Sequence, residues 1–548
     1  TVDSSFAGYG GVATVQQSNG NVNAVNAATA VAAIQPDEKD DNIAIIGGVD
    51  QSLAQARDNN QLTLDVKDKG STRTNELLSG SFDDANGFLN VQQNNGDANT
   101  MNVASAVVAT QGKVNGEVKQ QADADTNDIN QPEDVGNGTS VVESQSGADR
   151  SNNINDSFST PDGVAHVQQN NGDANTINAA TAVFGSVPAD QPDGETNNKT
   201  SAGAGDVSQA GILVNNQDVM SVEATDTSGA DPRDNAIGSS FGQADGVTIV
   251  QQNNGNANSL NAASAIAGFG GDVGDVQQNP LGGDPANQDL DNNISEVGVT
   301  AGSSTVRNNE VTSSFADANG LHTLQQNNGD ANTMNAATAL VAVDGAADSV
   351  DQRIELVGST VGGDFPNDID DNGSDRDNTV SASFANTSGV VTVQQNNGSA
   401  NSVNAATGVL YADNVDGDVD QIVDADATVS NNDINTDQVA KRDNKINSNS
   451  FDGTDGVATV QQNNGDGNYM GSGTAVAATL GNKVDNVTLN GSTSSNVVNV
   501  DTGSGAGNAT NTVNNAFDNV NGVASVQQNN GDGNVIQSAI SVSANVGN

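Results

Sequence analysis

The chain has 548 residues, of which 34% are hydrophobic and 3% aromatic, with no Cys and no Trp. Roughly half of a typical domain is apolar, so a conventional globular core is excluded, and order has to come from pattern rather than composition. The net charge of −52, from 69 acidic against 17 basic residues, excludes the basic stripe that nucleic acid or an anionic membrane surface requires.

The first element met along the chain is a Ser-Phe pair at Phe6; the Phe returns seven times, preceded by Ser in every copy but the last, where Ala516 stands. The copies are Phe6, Phe82, Phe158, Phe241, Phe315, Phe384, Phe451 and Phe517, with spacings of 76, 76, 83, 74, 69, 67 and 66 residues. Self-similarity at a long, nearly fixed period is the signature of a repeat architecture. The copies divide the chain into repeats at 1–76, 77–152, 153–235, 236–309, 310–378, 379–445 and 446–511, with a partial eighth at 512–548.

Five residues after each Phe comes a Gly, followed by a β-branched or aliphatic stretch that closes on Gln-Gln, as in Gly87-Phe-Leu-Asn-Val91-Gln92-Gln93. This alternation predicts a first strand. Asn-Gly-Asp or a close variant then predicts a tight turn, because Gly and Asn tolerate positive φ. A second strand is expected from about Asn99, with Met101, Val103, Ser105 and Val107 on one face and Asn102, Ala104 and Ala106 on the other. The Ala-rich stretch Asn178-Ala-Ala-Thr-Ala-Val183 leaves a helical turn as the alternative there. The spacers between cores vary, yet they echo one another in Val207-Ser-Gln209, Val350-Asp-Gln352 and Val419-Asp-Gln421. The echoes predict further short strands joined by variable loops. Arg-x-Asn with an aliphatic residue nearby precedes several Phe residues, as in Arg233-Asp-Asn-Ala-Ile237 and Arg442-Asp-Asn-Lys-Ile446.

A single copy holds too few apolar residues to bury a core of its own; stacked copies solve this. The expected fold is therefore all-β, a β-solenoid or set of stacked β-arches of eight repeats, amyloid-like. Equivalent amides become neighbours in such a stack, each with a donor and an acceptor. One ladder is expected from Gln16, Gln92, Gln168, Gln251, Gln325, Gln394, Gln461 and Gln527, and a second from Asn26, Asn102, Asn178, Asn261, Asn335 and Asn404. The eight Phe residues are expected to stack at a corner or edge.

The turn acids Asp97, Asp173, Asp330, Asp466 and Asp532 would repel in a tight stack unless a cation bridged them. Oxygen ligands suit calcium, the one metal this pattern suggests, and no other cofactor is expected. The length of each repeat suggests instead that equivalent turns lie several layers apart. Asp368-Ile-Asp370-Asp-Asn372-Gly373 matches the start of a calcium-binding EF-hand loop, but its twelfth position is Thr379 rather than Glu, so it is read as an Asp-rich loop.

His166 and His322 are the only histidines. They lack a recurring acidic or nucleophilic partner and are read as tolerated strand residues, so no enzyme is expected. The Thr column Thr29, Thr181, Thr338 and Thr407 is interrupted by Ser105 and Ser264, which fits packing better than a ligand array. The first residue is Thr1 rather than Met, which fits a processed, exported chain, and no apolar run reaches the length of a membrane span.

The run Gly163-Val-Ala-His-Val-Gln-Gln-Asn-Asn-Gly172-Asp-Ala-Asn175-Thr-Ile-Asn178-Ala-Ala is similar to the repeat of Fap-type fibre subunits, which are secreted bacterial functional amyloids. It resembles curlin repeats more loosely. The resemblance implies a secreted, extracellular or cell-surface protein whose partner is itself, forming a homopolymer for biofilm matrix or adhesion, without membrane insertion. The alternative is a monomeric secreted β-solenoid: an adhesin, surface-layer element or ligand-binding stalk, stabilised by calcium.

Overall fold

The computed structural model describes residues 2–3, 5–20, 23–34, 49–54, 57–60, 64–66, 72–78, 81–111, 118–123, 127–129, 140–144, 149–158, 161–187, 207–212, 219–220, 222–226, 232–270, 273–279, 293–295, 298–301, 306–371, 374–415, 418–435, 441–479, 486–492, 500–502, 508–514 and 516–545. Every regular element among them is a strand. The strands form three sheets, two of eight strands and one of 23, and neighbouring repeats pair in parallel. The protein is an all-β solenoid.

One sheet is built from the segment that carries the Arg-x-Asn motif, here called the Arg strands: Val2–Asp3, Arg73–Leu78, Arg150–Asn155, Pro232–Gly238, Val306–Thr312, Asp375–Ser381, Lys441–Asn447 and Asn508–Val513. The central sheet holds the Gln strands: Gly10–Ser18, Asn86–Asn94, Asp162–Asn170, Asp245–Asn253, Asn319–Asn327, Ser388–Asn396, Asp455–Asn463 and Asn521–Asn529. The third sheet starts with the Ala strands, among them Ala24–Ile34, Thr100–Gln111, Thr176–Val187 and Val535–Asn545, and continues into spacer strands. The helical alternative at Asn178–Val183 does not occur. That stretch lies inside a twelve-residue strand, because each Ala is needed for close packing on both faces.

Each repeat makes one coil, numbered 1 to 8 below, and equivalent residues pair with no offset, as Gly163 with Gly246 and Gln168 with Gln251. The unequal repeat lengths leave the core untouched, since every Gln strand has nine residues. Equivalent turns are therefore one layer apart, not several: the Asp97 N–H donates to Asp173 Oδ1 at 2.7 Å. All seven internal repeat boundaries drawn from sequence fall inside an Arg strand, so a coil is better cut a few residues earlier.

Period two explains the layering. Leu89 and Val91 join Leu77 and Phe82 on the Arg side of the central sheet. Phe88 meets Val103 and Val107 on the Ala side. Ala104 and Ala106 turn the other way, toward Ile354, Leu356 and Val423 of the spacer strands. The spacer echoes pair as expected, with Val276 on Val350 and Val350 on Val419. Asp368 to Asp371 are not a loop; they end the strand Thr333–Asp371 and pair with Gly298–Ala301 on one side. Asn372 and Gly373 lie outside the described residues.

The turn after the Gln strand works differently from the sequence expectation. Its left-handed residue is Ala in five coils, as at Ala98 (φ 57°), Ala174 (φ 54°) and Ala331 (φ 52°), and Gly467 or Gly533 in the last two, not the Gly of Asn-Gly-Asp. That Gly is required by close approach instead: a Cβ on Gly96 would overlap the carbonyl oxygen of Gly172 in the next coil.

Candidate functional site

The feature that recurs in every coil is a set of side-chain ladders running along the solenoid axis. At the corner before each Gln strand sits the Phe. Seven consecutive ring pairs from Phe6 to Phe517 stack at centroid distances of 4.7–5.2 Å and interplanar angles of 4–15°. The spacing equals the separation of hydrogen-bonded strands, so the coil pitch brings the rings into contact. Phe82, Phe158, Phe241, Phe315, Phe384 and Phe451 hold φ near +60°, a strained region for a bulky residue. Ring burial and stacking, worth about 0.5–1.5 kcal/mol per pair beyond area, offset that strain.

The first Gln of each pair forms the expected ladder without a gap. Gln16 Nε2 donates to Gln92 Oε1 at 2.9 Å, and the pattern continues through Gln168, Gln251, Gln325, Gln394 and Gln461 to Gln527. Each Nε2 also donates to a backbone carbonyl of an Ala strand, in most coils that of the preceding coil, such as Gln92 to Asn26 O at 3.1 Å and Gln527 to Gly471 O at 3.0 Å. The carbonyl fixes which end of the amide is nitrogen. The expected Asn ladder is present from Asn26 through Asn102, Asn178, Asn261 and Asn335 to Asn404. It stops there because coil 7 carries Gly471, beside which the Tyr469 hydroxyl reaches the Ala425 carbonyl.

Several ladders go beyond the sequence expectation. The second Gln forms its own column with the opposite polarity, Gln93 Nε2 donating back to Gln17 Oε1 at 2.8 Å and so on to Gln528. Asn19, Asn95, Asn171 and their equivalents run forward to Asn530. The Asn of Arg-x-Asn makes another column, Asn75 to Asn152 to Asn235 and onward to Asn511. The cue for all of these is the recurrence itself, which marks every repeated amide and not only the first of a pair.

Buried arginines reach the turn acids. Six of the eight Arg strands carry a buried Arg at their first or second residue, and it reaches the turn that lies 23 or 24 residues later. Arg150 Nη1 meets Asp173 Oδ1 at 2.8 Å, Arg307 Nη1 meets Asp330 at 2.9 Å, and Arg442 Nη1 meets Asp466 at 2.8 Å. The next coil's Arg flanks the same acid from the other side, Arg233 Nη2 at 3.9 Å from Asp173 and Arg376 Nη2 at 2.9 Å from Asp330. Burial alone would raise the Asp173 carboxyl, but Arg150, Arg233 and the Asp97 N–H outweigh it and hold the group below the usual carboxylate range. Where the acid is replaced, Arg233 binds Asn256 Oδ1 at 2.9 Å and Arg376 binds Ser399 Oγ at 3.1 Å. Asp532 differs: its own coil has Ala509 where Arg442 stands in the coil before. Burial and Asp466 raise the Asp532 carboxyl above its ordinary value, despite Arg442.

No family model, no curated protein and no solved structure matches the chain. Its chemistry therefore rests on its own residues. His166 is fully buried, with Nδ1 at 3.0 Å from Asn90 Oδ1 and Nε2 at 2.9 Å from Thr181 Oγ1; burial lowers its pKa to about 3. His322 is likewise buried, and desolvation lowers it to about 4. The two pair with Ile249 and Thr248, adjacent positions of one strand, so they share no column. The Thr column is buried at Thr181, Ser264, Thr338 and Thr407 and at Ser105, facing the Gln strands rather than solvent. Among the described residues no group of three or more His, Asp or Glu side chains comes together as a metal site.

Exposure is concentrated at the two end coils. Among the described residues the exposed large hydrophobics are Phe6, Tyr9, Val12, Val31, Tyr411, Val526, Val535 and Val542. All but Tyr411 belong to coil 1 or coil 8.

Proposed function

We propose that this chain is a structural subunit that assembles end to end into an extracellular, amyloid-like fibre serving biofilm matrix or adhesion. The observation that carries the reading is the distribution of exposed apolar residues: of the eight large ones among the described residues, seven lie on the first and last coils. Isolated surface hydrophobics need no explanation, but a concentration of them at a strand edge marks an association surface. The outermost strands of each sheet also offer backbone groups in the same parallel spacing that the interior coils use. Stacking another molecule there extends every ladder without new chemistry. The uniform coil-to-coil register supports this, because a surface that already matches its neighbour inside the chain matches it between chains. A secreted location accords with the acidic, Lys-poor composition.

Electron microscopy and fibre diffraction of the purified chain test the reading together. Filaments with a meridional reflection at about 4.7–4.8 Å are expected. Monodisperse short rods at high concentration would overturn it and favour the monomeric stalk.

A further inference from the structure

The two end coils expose opposite faces of the same strand. In coil 1, Val12, Thr14 and Gln16 are exposed, while Ala13 and Val15 are buried. In coil 8 the pattern inverts: Ala524, Val526 and Gln528 are exposed, while Ser525, Gln527 and Asn529 are buried. The relative exposures of the outermost valines are nearly equal, 43% for Val12 and 44% for Val526.

The inversion follows from a stagger between the sheets. Each Gln strand is covered on one face by the Ala strand of the coil before it, as the Gln92 bond to the Asn26 carbonyl shows. On its other face it is covered by the Arg strand of the coil after it, as the Asn95 bond to Asn152 Oδ1 at 2.9 Å shows. Among the described residues no Ala strand precedes coil 1 to cover it, and no Arg strand follows coil 8. Each end carries what the other is missing: coil 8 presents the Ala strand Val535–Asn545, and coil 1 presents Phe6 and the strand Val2–Asp3.

Ladder polarity adds direction. The forward columns run from Gln16 and Asn19, which donate into coil 2, to Gln527 and Asn530, which accept from coil 7. The ladder is therefore left open at the amide nitrogens of Gln527, whose other hydrogen is held by the Gly471 carbonyl, and Asn530 in coil 8, and at the amide oxygens of Gln16 and Asn19 in coil 1. The backward column of second Gln residues ends on the Gln528 oxygen in coil 8 and the Gln17 nitrogen in coil 1. Donors at one end meet acceptors at the other in all three columns. Two like ends would set donor against donor, and the backbone carbonyls that hold each first-Gln nitrogen oppose a flip of that amide.

We infer that the partner of the coil 8 face is the coil 1 face of a second copy, with Asn521–Asn529 docked parallel and in register on Gly10–Ser18, Gln527 opposite Gln16 and Gln528 opposite Gln17. The inference rests on the proposed fibre and specifies its junction. Gln527 Nε2 donates to Gln16 Oε1 of the second copy, Asn530 Nδ2 donates to its Asn19 Oδ1, and its Gln17 Nε2 donates back to Gln528 Oε1. Phe517 continues the ring stack onto Phe6 of the second copy. Every junction has the same sense, so the fibre is polar.

The absence of Cys from the chain allows a direct test. Full-length Thr14→Cys and Ser525→Cys variants are assembled separately and as a mixture, oxidised, and analysed on a non-reducing gel with mass spectrometry of the linked peptides. In-register parallel neighbours lie within the Cα range that a disulfide spans. The mixture is expected to give at least tenfold more dimer than either variant alone. Ala13→Cys with Ala524→Cys probes the opposite face and is expected to behave the same way. Dimers of equal yield in the single preparations would overturn the inference, as would equal linking of Ser525→Cys to Val12→Cys, two residues out of register. Fibres that form with homotypic or shifted links overturn the junction alone. A natural chain that makes no fibres overturns the proposed function itself.

Discussion

The two sides of the central Gln sheet are packed by different rules. On the Arg side, buried charge and aromatic rings meet: the Arg column threads between turn acids, and the Phe stack fills the corner. On the Ala side, almost everything is neutral and small, with Ala strands squeezed between the Gln sheet and the aliphatic spacer residues. The Arg side tolerates a change of residue when the charge balance survives. Asn256 and Ser399 stand where Asp stands in other coils, because Arg233 and Arg376 each still face an acid of the coil before. The Ala side is governed by volume, and its column holds Ala104, Ala180, Ala263, Ala337 and Ala406 with little variation.

The largest break in this contrast comes from removing one acid between two guanidinium groups. Asp330→Ala leaves Arg307 and Arg376 without their shared carboxylate and is expected to cost about 3–5 kcal/mol, since an unpaired buried charge is not re-solvated. Asp330→Asn, which copies Asn256, is expected to cost clearly less. Chemical denaturation followed by circular dichroism compares them, and equal losses would show that shape rather than charge matters there. On the opposite side, Ala406→Leu forces a larger side chain against Ile354 and Val423 and is expected to cost about 1–3 kcal/mol. A neutral outcome would mean that the spacer strands yield, and the volume rule would fall.

Near neutral pH the smallest effect is a pH dependence from the two buried histidines of the Gln strands. The folded pKa of His166 is about 3 and that of His322 about 4, both below the ordinary 6.5. The unfolded chain therefore takes up protons first as pH falls. Their contribution is complete above about 6.5 and declines from there toward 3 to 4. The double variant His166→Ile, His322→Thr, which copies the paired residues Ile249 and Thr248, is expected to flatten this acid limb. An unchanged pH profile would assign acid sensitivity to the carboxylates of the Arg side instead.

Much of the core is legible in the amino-acid sequence. A repeated Gln at Gln92, Gln168 and Gln251 can satisfy its amide only on copies of itself once the repeats stack, so the ladder follows from recurrence and hydrogen-bond capacity. The Phe stack follows in the same way, as does the alternation of Val103 and Ala104. The ion network is not legible there. Arg150 and Asp173 lie 23 residues apart on different strands, and nothing local joins the Arg-x-Asn motif to the turn. The turn acids, read by themselves, suggest wide spacing or calcium, because only the fold shows that a buried Arg stands between successive layers.

The amino-acid sequence by itself determined the number of coils, the two-residue alternation of each strand and the columns of like residues, because these depend on identity at fixed spacing. The tertiary structure decided that one repeat is one layer, that Gly96 is required by the neighbouring carbonyl rather than by its own φ, and that the two end coils bare opposite faces. Those outcomes depend on the stagger between sheets, which arises only when Arg, Gln and Ala strands from different coils cover one another.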